Sequence, residues 1–267
     1  MTTYLLERLV TPRPHPGLSL RVVERNFMVY RRTWMVIVSG FFEPLFYLFS
    51  LGIGLDTYIG DLSGPGGEQI SYAAFVAPAL LAASAMNGAF YDATNVFWKL
   101  RYEKVYDAML ATPVAPRDVA VGETTWALVR CLLYAGAFFV VIGAMGLVGS
   151  WWAVLVLPAA ALIGLAFAGI GIAAMTFMRS WQDFDLIQLV MLPMFLFSAT
   201  FYPLSVYPAS VRWIVQATPL YHASTLMRSL TTGTVSWDQA GDVAYLVLLG
   251  LVGVAIASRR IRGALVK

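Results

Sequence analysis

The chain has 267 residues, of which 59% are hydrophobic and only 12% are charged, with a formal net charge of +3. Soluble domains carry about a quarter charged residues, so a chain of this composition could not cover a soluble surface. Together with a mean hydropathy of +0.72, this indicates a polytopic membrane protein. The small positive charge does not indicate a nucleic-acid partner, because the basic residues cluster in the segments beside the apolar stretches.

The first 32 residues form a polar segment that precedes the first apolar stretch. Residues 1–17 contain three prolines and no early apolar core, which argues against a cleaved signal peptide. Residues 18–32 have helical periodicity with arginines on one side. Their apolar face comprises Leu20, Val23, Phe27 and Tyr30. This pattern predicts an amphipathic helix along the membrane surface, and a helix docked on a protein partner is the alternative.

The remaining chain predicts an all-α fold of six transmembrane helices. Each stretch is close to the roughly 20 residues that a bilayer core requires. The predicted spans are about 33–55, 71–97, 119–148, 152–177, 184–203 and 239–258. We therefore divide the chain into a cytoplasmic N-terminus with the interfacial helix (1–32), a six-helix transmembrane domain (33–260) and a short tail (261–267).

The distribution of lysine and arginine predicts the orientation. Fifteen of them lie in segments that the six spans place on one side, whereas only Arg212 and Arg228 lie on the other. Because cytoplasmic loops carry an excess of basic residues, both termini and the segment after the second span are predicted to be cytoplasmic.

The segment from Lys99 to Asp118, between the second and third spans, is polar and predicts a short cytoplasmic helix over 100–113. Pro113 and Pro116 end it, since proline cannot donate to the helical ladder. Its apolar stripe consists of Tyr102, Val105, Tyr106, Met109 and Leu110. A stripe with little of its own chain to pack on favours a soluble partner; a solvated loop that joins two spans is the alternative.

Charged residues within the predicted spans are the candidate internal site. Glu43 and Arg130 enter from the same side to a similar depth, and intramembrane charges commonly pair, so we predict a Glu43–Arg130 ion pair across two helices. The alternative is that both residues line a cavity and contact a polar substrate. Asp92 and Glu123 lie nearer the cytoplasmic ends of their spans and are predicted to be interfacial.

The predicted external segment, 204–231, is too interrupted by proline to span and too apolar to be a free loop. It predicts two short helices, about 209–217 and 220–230, that re-enter the outer leaflet where protein buries the backbone. The candidate lid over an exit pathway comprises Phe201, Tyr202, Pro203, Pro208, Trp213, Pro219, Tyr221, His222 and Arg228. The alternative is a structural plug with aromatic interface anchors.

Motifs of soluble enzymes are missing from the sequence. There is no phosphate-binding loop of the G-x-x-x-x-G-K-[ST] type, and the histidines His15 and His222 do not have the spacing of metal ligands. Cys131 is the only cysteine, and we interpret it as a packing residue. The small residues Gly164 and Gly171 are predicted to let helices approach closely. The chain is thus predicted to bind no metal and no cofactor.

Two motifs resemble a known family. The run Tyr106-Asp-Ala-Met-Leu-Ala-Thr-Pro-Val114 resembles the coupling-helix signature of ABC-2 type exporter permeases, especially those that export lipo-oligosaccharide nodulation factors. About ninety residues later, the pattern Pro193…Phe201-Tyr-Pro-Leu204…Thr218-Pro-Leu-Tyr-His222…Arg228 is similar to that family's fifth span and external helices. Many members have Gly-Thr-Leu-Glu where this chain has Lys104-Val-Tyr-Asp107, which places it nearer the oligosaccharide branch.

The resemblance covers essentially the whole chain and implies a transport subunit in a bacterial plasma membrane. It implies a homodimer, or a dimer with a related permease, that pairs with two copies of a separate ATP-binding subunit, where ATP and magnesium would bind. The residues implied to couple the two proteins are Arg101, Glu103, Tyr106, Asp107, Met109, Leu110, Thr112 and Pro113.

Three functions are open from the sequence. The first is a permease that exports a lipid-linked or amphipathic substrate such as an oligosaccharide or glycolipid. The second is a multidrug or antibiotic efflux permease of the same fold. The third is a membrane-embedded glycosyl or acyl transferase, which should show convergent histidines or carboxylates near one membrane face. Because the two histidines fall on opposite sides and the carboxylates are scattered, an exporter subunit is favoured.

Overall fold

A computed structural model describes residues 16–64, 66–180 and 182–265, and these residues are almost entirely helical. Their α-helices are α1 (Pro16–Arg32), α2 (Trp34–Tyr47), α3 (Asp56–Ile59), α4 (Tyr72–Arg101), α5 (Val105–Leu110), α6 (Pro116–Ala144), α7 (Val156–Phe177), α8 (Asp183–Leu196), α9 (Ala209–Gln216), α10 (Pro219–Thr232) and α11 (Asp238–Leu265).

Short elements extend or connect these helices. A π-helical turn, Leu48–Ile53, continues α2, and a 3₁₀ turn, Trp151–Leu155, leads into α7; another 3₁₀ turn covers Leu204–Val206. Two-residue strands, β1 (Leu62–Ser63) and β2 (Gln69–Ile70), pair antiparallel in the loop before α4. The interruptions in the helices thus lie near the ends of the bundle.

Five helical stretches in the described part of the chain are long and apolar enough to cross a membrane. They are Val38–Ile59, Tyr72–Leu100, Arg117–Ala144, Trp151–Phe177 and Asp238–Arg260. Each corresponds to one of the predicted spans, within a few residues at either end. The chain is therefore a multi-pass membrane protein with a predominantly helical fold, as predicted.

The predicted span 184–203 contains a shorter helix than expected. Helix α8 has 14 residues, about 21 Å at 1.5 Å per residue, against roughly 30 Å for a bilayer core. The backbone is non-helical from Phe197 to Pro203. Leucine side chains along α8 are well exposed, including Leu186 and Leu189. A count of six spans therefore stays a prediction.

Helix α4 is the centre of the bundle. It packs against α2, α6, α7 and α10, and 89% of its most apolar window is buried. Its sequence explains this position, because alanines such as Ala77, Ala83 and Ala89, at six-residue spacing, lie on three different sides of the helix and are all buried. Small side chains allow neighbouring helices to approach closely on all faces.

Glycines bring two further helix pairs into close contact, as predicted for Gly164 and Gly171. A Cβ atom at Gly164 would lie 2.6 Å from Sγ of Cys131 on α6, and one at Gly171 would lie 2.7 Å from a side chain on α4. The closest approach is between α7 and α11. A Cβ atom at Gly253 would lie 2.5 Å from the carbonyl carbon of Gly169, so the two backbones are in direct contact.

The two short helices predicted between the last spans are present as α9 and α10. Pro219 occupies the first turn of α10, where its missing N–H is not needed, and the Thr218 side chain caps the helix by accepting a hydrogen bond from the Tyr221 N–H at 3.3 Å. Their re-entry into the membrane stays a prediction.

Candidate functional site

The predicted coupling helix is shorter than expected and lies between the two long helices that it joins. Helix α5 covers only Val105–Leu110, and Lys104 before it adopts a left-handed backbone with φ of 50°. The following helix begins at Pro116, where the Asp118 side chain accepts a hydrogen bond from the Ala115 N–H at 3.0 Å. The backbone reversal at Lys104 lets α5 fold against the ends of α4 and α6.

Part of the predicted apolar stripe contacts the chain's own helices, whereas Tyr102, at its beginning, is 53% exposed. Tyr106 is fully buried among residues of α4, α6, α7 and α11, and Met109 packs against the same group. Asp107, Ala108 and Thr112 are instead exposed. Any partner would therefore contact this exposed face.

The other residues predicted for coupling either are exposed beside α5 or have side chains outside the described part of the structure. Glu103 and Pro113 are exposed beside α5. The side chains of Arg101 and Leu110 lie outside the described part of the structure. Tyr106 therefore acts as an anchor that fixes the position of α5 rather than as a surface contact.

The Tyr106 hydroxyl lies deep in the protein beside the carboxylate of Glu123 on α6. Burial, reinforced by the negative charge of Glu123, holds the pKa of Tyr106 well above its usual value, because both disfavour the phenolate. The phenol therefore stays neutral at physiological pH, and α5 keeps an uncharged anchor inside the bundle.

Glu123 is the acceptor in a buried ionic cluster that joins three helices. Lys99 of α4 places Nζ 2.7 Å from Glu123 Oε2 and 3.1 Å from Asn26 Oδ1 of α1. Asn26 Nδ2 also donates to Glu123 Oε2 at 3.0 Å. The carboxylate is fully buried within the protein, and the interfacial depth expected for Glu123 stays a prediction. Tyr106 brings α5 to the same cluster.

A second polar cluster lies one turn further along α1. Tyr30 donates to Asp92 Oδ1 at 3.1 Å and accepts from Asn95 Nδ2 at 2.5 Å. Arg130 places Nη1 3.2 Å from the same Asp92 oxygen and donates through Nη2 to Tyr134 at 3.0 Å. Asp92 is 1% exposed and is therefore also buried within the protein, and its expected interfacial depth stays a prediction.

The predicted ion pair between Glu43 and Arg130 is wrong, because Asp92 takes the place of Glu43 as the partner of Arg130. Glu43 accepts a hydrogen bond from the Tyr91 hydroxyl at 3.2 Å and is exposed. The alternative interpretation describes the geometry better, since Glu43 and Arg130 line the same cavity of about 400 Å³.

These two clusters attach α1 to the bundle. Val22, Asn26 and Tyr30, at four-residue spacing, are its buried positions, whereas Leu20 and Phe27 are well exposed. One face of α1 thus contacts α6, and a second, apolar face is open. The exposed apolar face agrees with a helix at a membrane surface, and the buried polar face was not predicted.

Close packing at Gly122 of α6 allows α1 to dock, which gives a first prediction. A Cβ atom there would lie 2.6 Å from Cβ of Val22, so Gly122→Val should lower stability by about 1–3 kcal/mol and release α1. The measurement is tryptic cleavage at Arg21 and Arg25 together with the half-life of the monodisperse protein on heating.

The matched control is Gly143→Val on the same helix, because a Cβ atom at Gly143 meets nothing within 4 Å. It carries the same change in helix propensity without the clash. Equal cleavage of α1 in the two variants would show that α1 does not depend on this contact.

The residues predicted to form an external lid occupy two different environments. Phe201 is buried, Tyr202 and Pro203 are partly buried, and Pro208 and Trp213 are exposed. His222, beside the partly buried Tyr221, places Nδ1 2.7 Å from Asp242 Oδ1 and stacks on Tyr245 with centroids 4.0 Å apart. The exposed Trp213 fits either the lid or the interface anchor that the sequence left open.

Arg228 is an internal clamp, which corrects its assignment to the lid. It is 5% exposed, stacks over the Phe75 ring at 3.9 Å and donates to the carbonyl of Phe75 at 3.2 Å and that of Ala199 at 3.0 Å. Ala199 has a φ of 53°, which is unusual for a residue with a side chain. Arg228 thus holds the strained turn after α8 against α4.

Sequence reasoning missed Asn26, Tyr30, Asn95 and Lys99 as site residues. A lysine next to an apolar stretch was counted only toward membrane orientation. Its spacing of seven residues from Asp92, which is two helical turns, could have indicated a polar stripe on one face of α4. The partners of that stripe on α1 could not be identified, because Asn and Tyr are common on amphipathic helices.

This arrangement defines a multi-pass membrane protein whose polar centre connects a surface helix and a short loop helix to its spans. The chain belongs to the ABC-2 type transporter family, whose model matches residues 19–232. It is similar to Nodulation protein J of Rhizobium leguminosarum bv. viciae, with 31% identity over 94% of this chain and 98% of the relative. Nodulation protein J of R. leguminosarum bv. trifolii is also 31% identical (92% and 96% covered), and that of Rhizobium meliloti strain 1021 is 29% identical (80% and 81%).

Proposed function

We propose that the chain is the permease subunit of an ABC exporter and that it moves a lipid-linked or amphipathic saccharide out of the cytoplasm or the inner leaflet. Membership in the ABC-2 type transporter family over 19–232 supports the transport class. The similarity to Nodulation protein J and the oligosaccharide-type coupling sequence favour the saccharide over a drug or antibiotic.

The observation that carries this proposal is the position of α5. Its exposed face, which includes Asp107, Ala108 and Thr112, is available to a soluble ATP-binding subunit. Its buried face, through Tyr106, contacts the helix bundle directly beside Glu123. A displacement of α5 would therefore be transmitted through the contact between Tyr106 and Glu123 to α4, α6 and α1.

The proposed assembly contains two permeases and two ATP-binding subunits in a bacterial plasma membrane, with both termini in the cytoplasm. The permeases form a homodimer or pair with a related chain. ATP and magnesium belong to the partner subunit, and the permease contributes α5 as its docking element. Membrane lipid surrounds the bundle and carries the substrate's apolar part.

Co-expression with candidate ABC ATP-binding subunits from the same genome tests this proposal, with purification through a tag on the permease. We expect a two-plus-two complex with ATPase activity, and ATP-dependent transport of a labelled glycolipid into inverted vesicles. A well-folded permease that binds no ATP-binding subunit would contradict the assignment. Export of amphipathic drugs without glycolipid export would favour the efflux alternative.

The exposed face of α5 gives a further prediction. Ala108→Arg adds a long charged side chain at the centre of this face, so we expect loss of the ATP-binding subunit or at least a roughly tenfold loss of export, because bulk at an interface centre is poorly tolerated. Thermal stability should not change, since Ala108 is exposed.

The control is Val235→Arg, an exposed position before α11 on the predicted external side. It should leave both complex formation and export unchanged. If Ala108→Arg behaves like this control, the partner does not dock on α5.

A further inference from the structure

The cavity near Glu43 is a built polar site within the membrane-spanning part of the protein. It measures about 400 Å³ and is lined by residues of α2, α4 and α6, six of them polar: Ser39, Glu43, Tyr91, Asn95, Arg130 and Tyr134. This volume lies in the range of small-molecule sites. Polar groups at such depth are costly unless they face water or protein, and they commonly mark a substrate pathway.

The arginine in this cavity is not saturated by its protein partners. Arg130 is 2% exposed, and its Nη atoms bind Asp92, Tyr30 and Tyr134. Its Nε–H has no hydrogen-bond partner among the described residues. That Nε–H is enclosed by protein, so Arg130 contributes its charge and its contact with the Tyr134 hydroxyl to the cavity wall.

The charge of the cavity excludes two ligand classes. Asp92 already neutralises Arg130, and Glu43 adds an exposed carboxylate on α2. The local net charge is therefore negative, which disfavours a phosphate or carboxylate. An ammonium group could bind Glu43, but it can only donate, and it would leave the hydroxyl proton of Tyr134, which accepts from Arg130, without an acceptor.

A polyhydroxyl group can form hydrogen bonds with the accessible polar residues of the cavity. Each hydroxyl both donates and accepts, so adjacent hydroxyls can bind a carboxylate and an amide or guanidinium at once. Glu43 and the Asn95 amide oxygen supply acceptors, because the Asn95 amide nitrogen already donates to Tyr30 and to the Tyr91 carbonyl. The Tyr134 hydroxyl, which accepts from Arg130, supplies a donor. Tyr91 and Tyr134 add hydroxyl groups and aromatic surface at the cavity wall.

The geometry points to a binding site for a neutral sugar unit between α2, α4 and α6 of a single permease, with Glu43 and Asn95 as its specificity-determining contacts. This inference rests on the proposed export of a glycolipid and assigns the position where its headgroup binds. Because Glu43 is exposed on α2, the site opens beside the bundle and admits a headgroup whose lipid chain stays outside.

Cysteine protection tests the site in the full-length chain in lipid nanodiscs. Ser39→Cys places a thiol in the cavity. The native Cys131 is fully buried, so labelling of the unmodified chain measures the background. The control thiol is Met35→Cys, on the same helix and 69% exposed. Labelling by a neutral, hydrophilic methanethiosulfonate is timed with hexyl maltoside, hexyl phosphate or hexyltrimethylammonium present.

Hexyl maltoside is expected to slow labelling at Ser39→Cys about fivefold or more and to leave Met35→Cys unaffected, while the two charged probes protect neither. Adding Glu43→Gln or Asn95→Leu should weaken protection by roughly tenfold in apparent affinity, since each removes a strong hydrogen bond to the sugar. Equal protection by all three probes, or none by the maltoside, would overturn the sugar assignment. A thiol that does not react at all would overturn the open cavity.

If Ser39→Cys does not purify as a monodisperse protein, calorimetric titration of hexyl maltoside into the unmodified chain and into Glu43→Gln provides the same comparison, and identical curves would overturn the inference. The outcome of this binding test can be distinguished from the outcome of the test of the proposed function. A permease that assembles with its ATPase and exports glycolipid without maltoside protection refutes only this site, whereas maltoside binding without any ATPase partner refutes only the exporter assignment.

Discussion

Glu123→Ala is expected to cause one of the largest losses of stability in the chain, about 3–5 kcal/mol. The substitution leaves Lys99, which is 8% exposed, without its counter-ion inside the protein, and an uncompensated buried charge has a cost of this size. It also removes the acceptor for Asn26 and the neighbour of Tyr106. The measurement is the half-life of the monodisperse protein at a fixed temperature, with tryptic cleavage of α1 as a second reading.

The control is Glu24→Ala, which breaks an equally short pair with Arg21 at 2.7 Å that is largely exposed. Surface pairs contribute about 0–1 kcal/mol, so this variant should behave like the native chain. The double change Lys99→Met with Glu123→Leu should recover most of the lost stability, because it removes both charges. Similar half-lives for Glu123→Ala and Glu24→Ala would show that the buried pair does not hold the helices together.

Arg228→Ala is expected to have a comparable effect, about 3–5 kcal/mol, through a different mechanism. The guanidinium donates to the carbonyls of Phe75 and Ala199. The Phe75 carbonyl keeps its helical donor, but the Ala199 carbonyl would lose this donor, and a buried acceptor left without a donor costs about 1–3 kcal/mol. The lost contact with the Phe75 ring leaves a cavity in addition. Release of the turn at Ala199 should appear as faster proteolysis between α8 and α9.

Arg212→Ala is the matched control, because Arg212 also donates to two backbone carbonyls, at 2.9 Å to Tyr207 and 2.8 Å to Ser205. It is exposed, and water can replace it, so the expected loss is below about 1 kcal/mol. Arg228→Lys should rescue little, since an ammonium cannot reproduce the planar fork that reaches both carbonyls. Full stability of Arg228→Lys would contradict the clamp.

Hydrophobic periodicity predicted much of the fold. Long apolar stretches predicted six spans, five of which correspond to helices long enough to cross a membrane, and the prolines at 208 and 219 predicted the boundaries of α9 and α10. The end of α8 was not predicted, because residues 197–202 contain neither a charge nor a proline. Their helix stops where Ala199 adopts a left-handed backbone, a conformation stabilised by Arg228 from 29 residues away.

The charged site was only partly predictable, for a geometric reason. Counting residues from a helix end gives the depth of a charge in a span, and it placed Glu43 and Arg130 at the same level. It does not give the direction in which each side chain points. Asp92 of α4 faces Arg130 directly, whereas Glu43 faces the Tyr91 hydroxyl on the rim of the cavity.

The environment of the coupling helix α5 could not be predicted from its sequence pattern. The stripe of Tyr106 and Met109 was identified correctly as apolar, but an apolar face does not specify what covers it. Here the left-handed turn at Lys104 folds α5 back onto the bundle, so Tyr106 is buried by the chain itself and Met109 partly so. Tyr102, Asp107 and Ala108 are exposed.

The backbone contact between α7 and α11 limits where a lipid tail can travel. Since a Cβ atom at Gly253 would already collide with Gly169, no hydrocarbon chain can slip between these two helices. The acyl chains of the proposed glycolipid would therefore have to pass elsewhere. Exposed apolar side chains such as Phe46 of α2 and Leu189 of α8 would offer them contact surface.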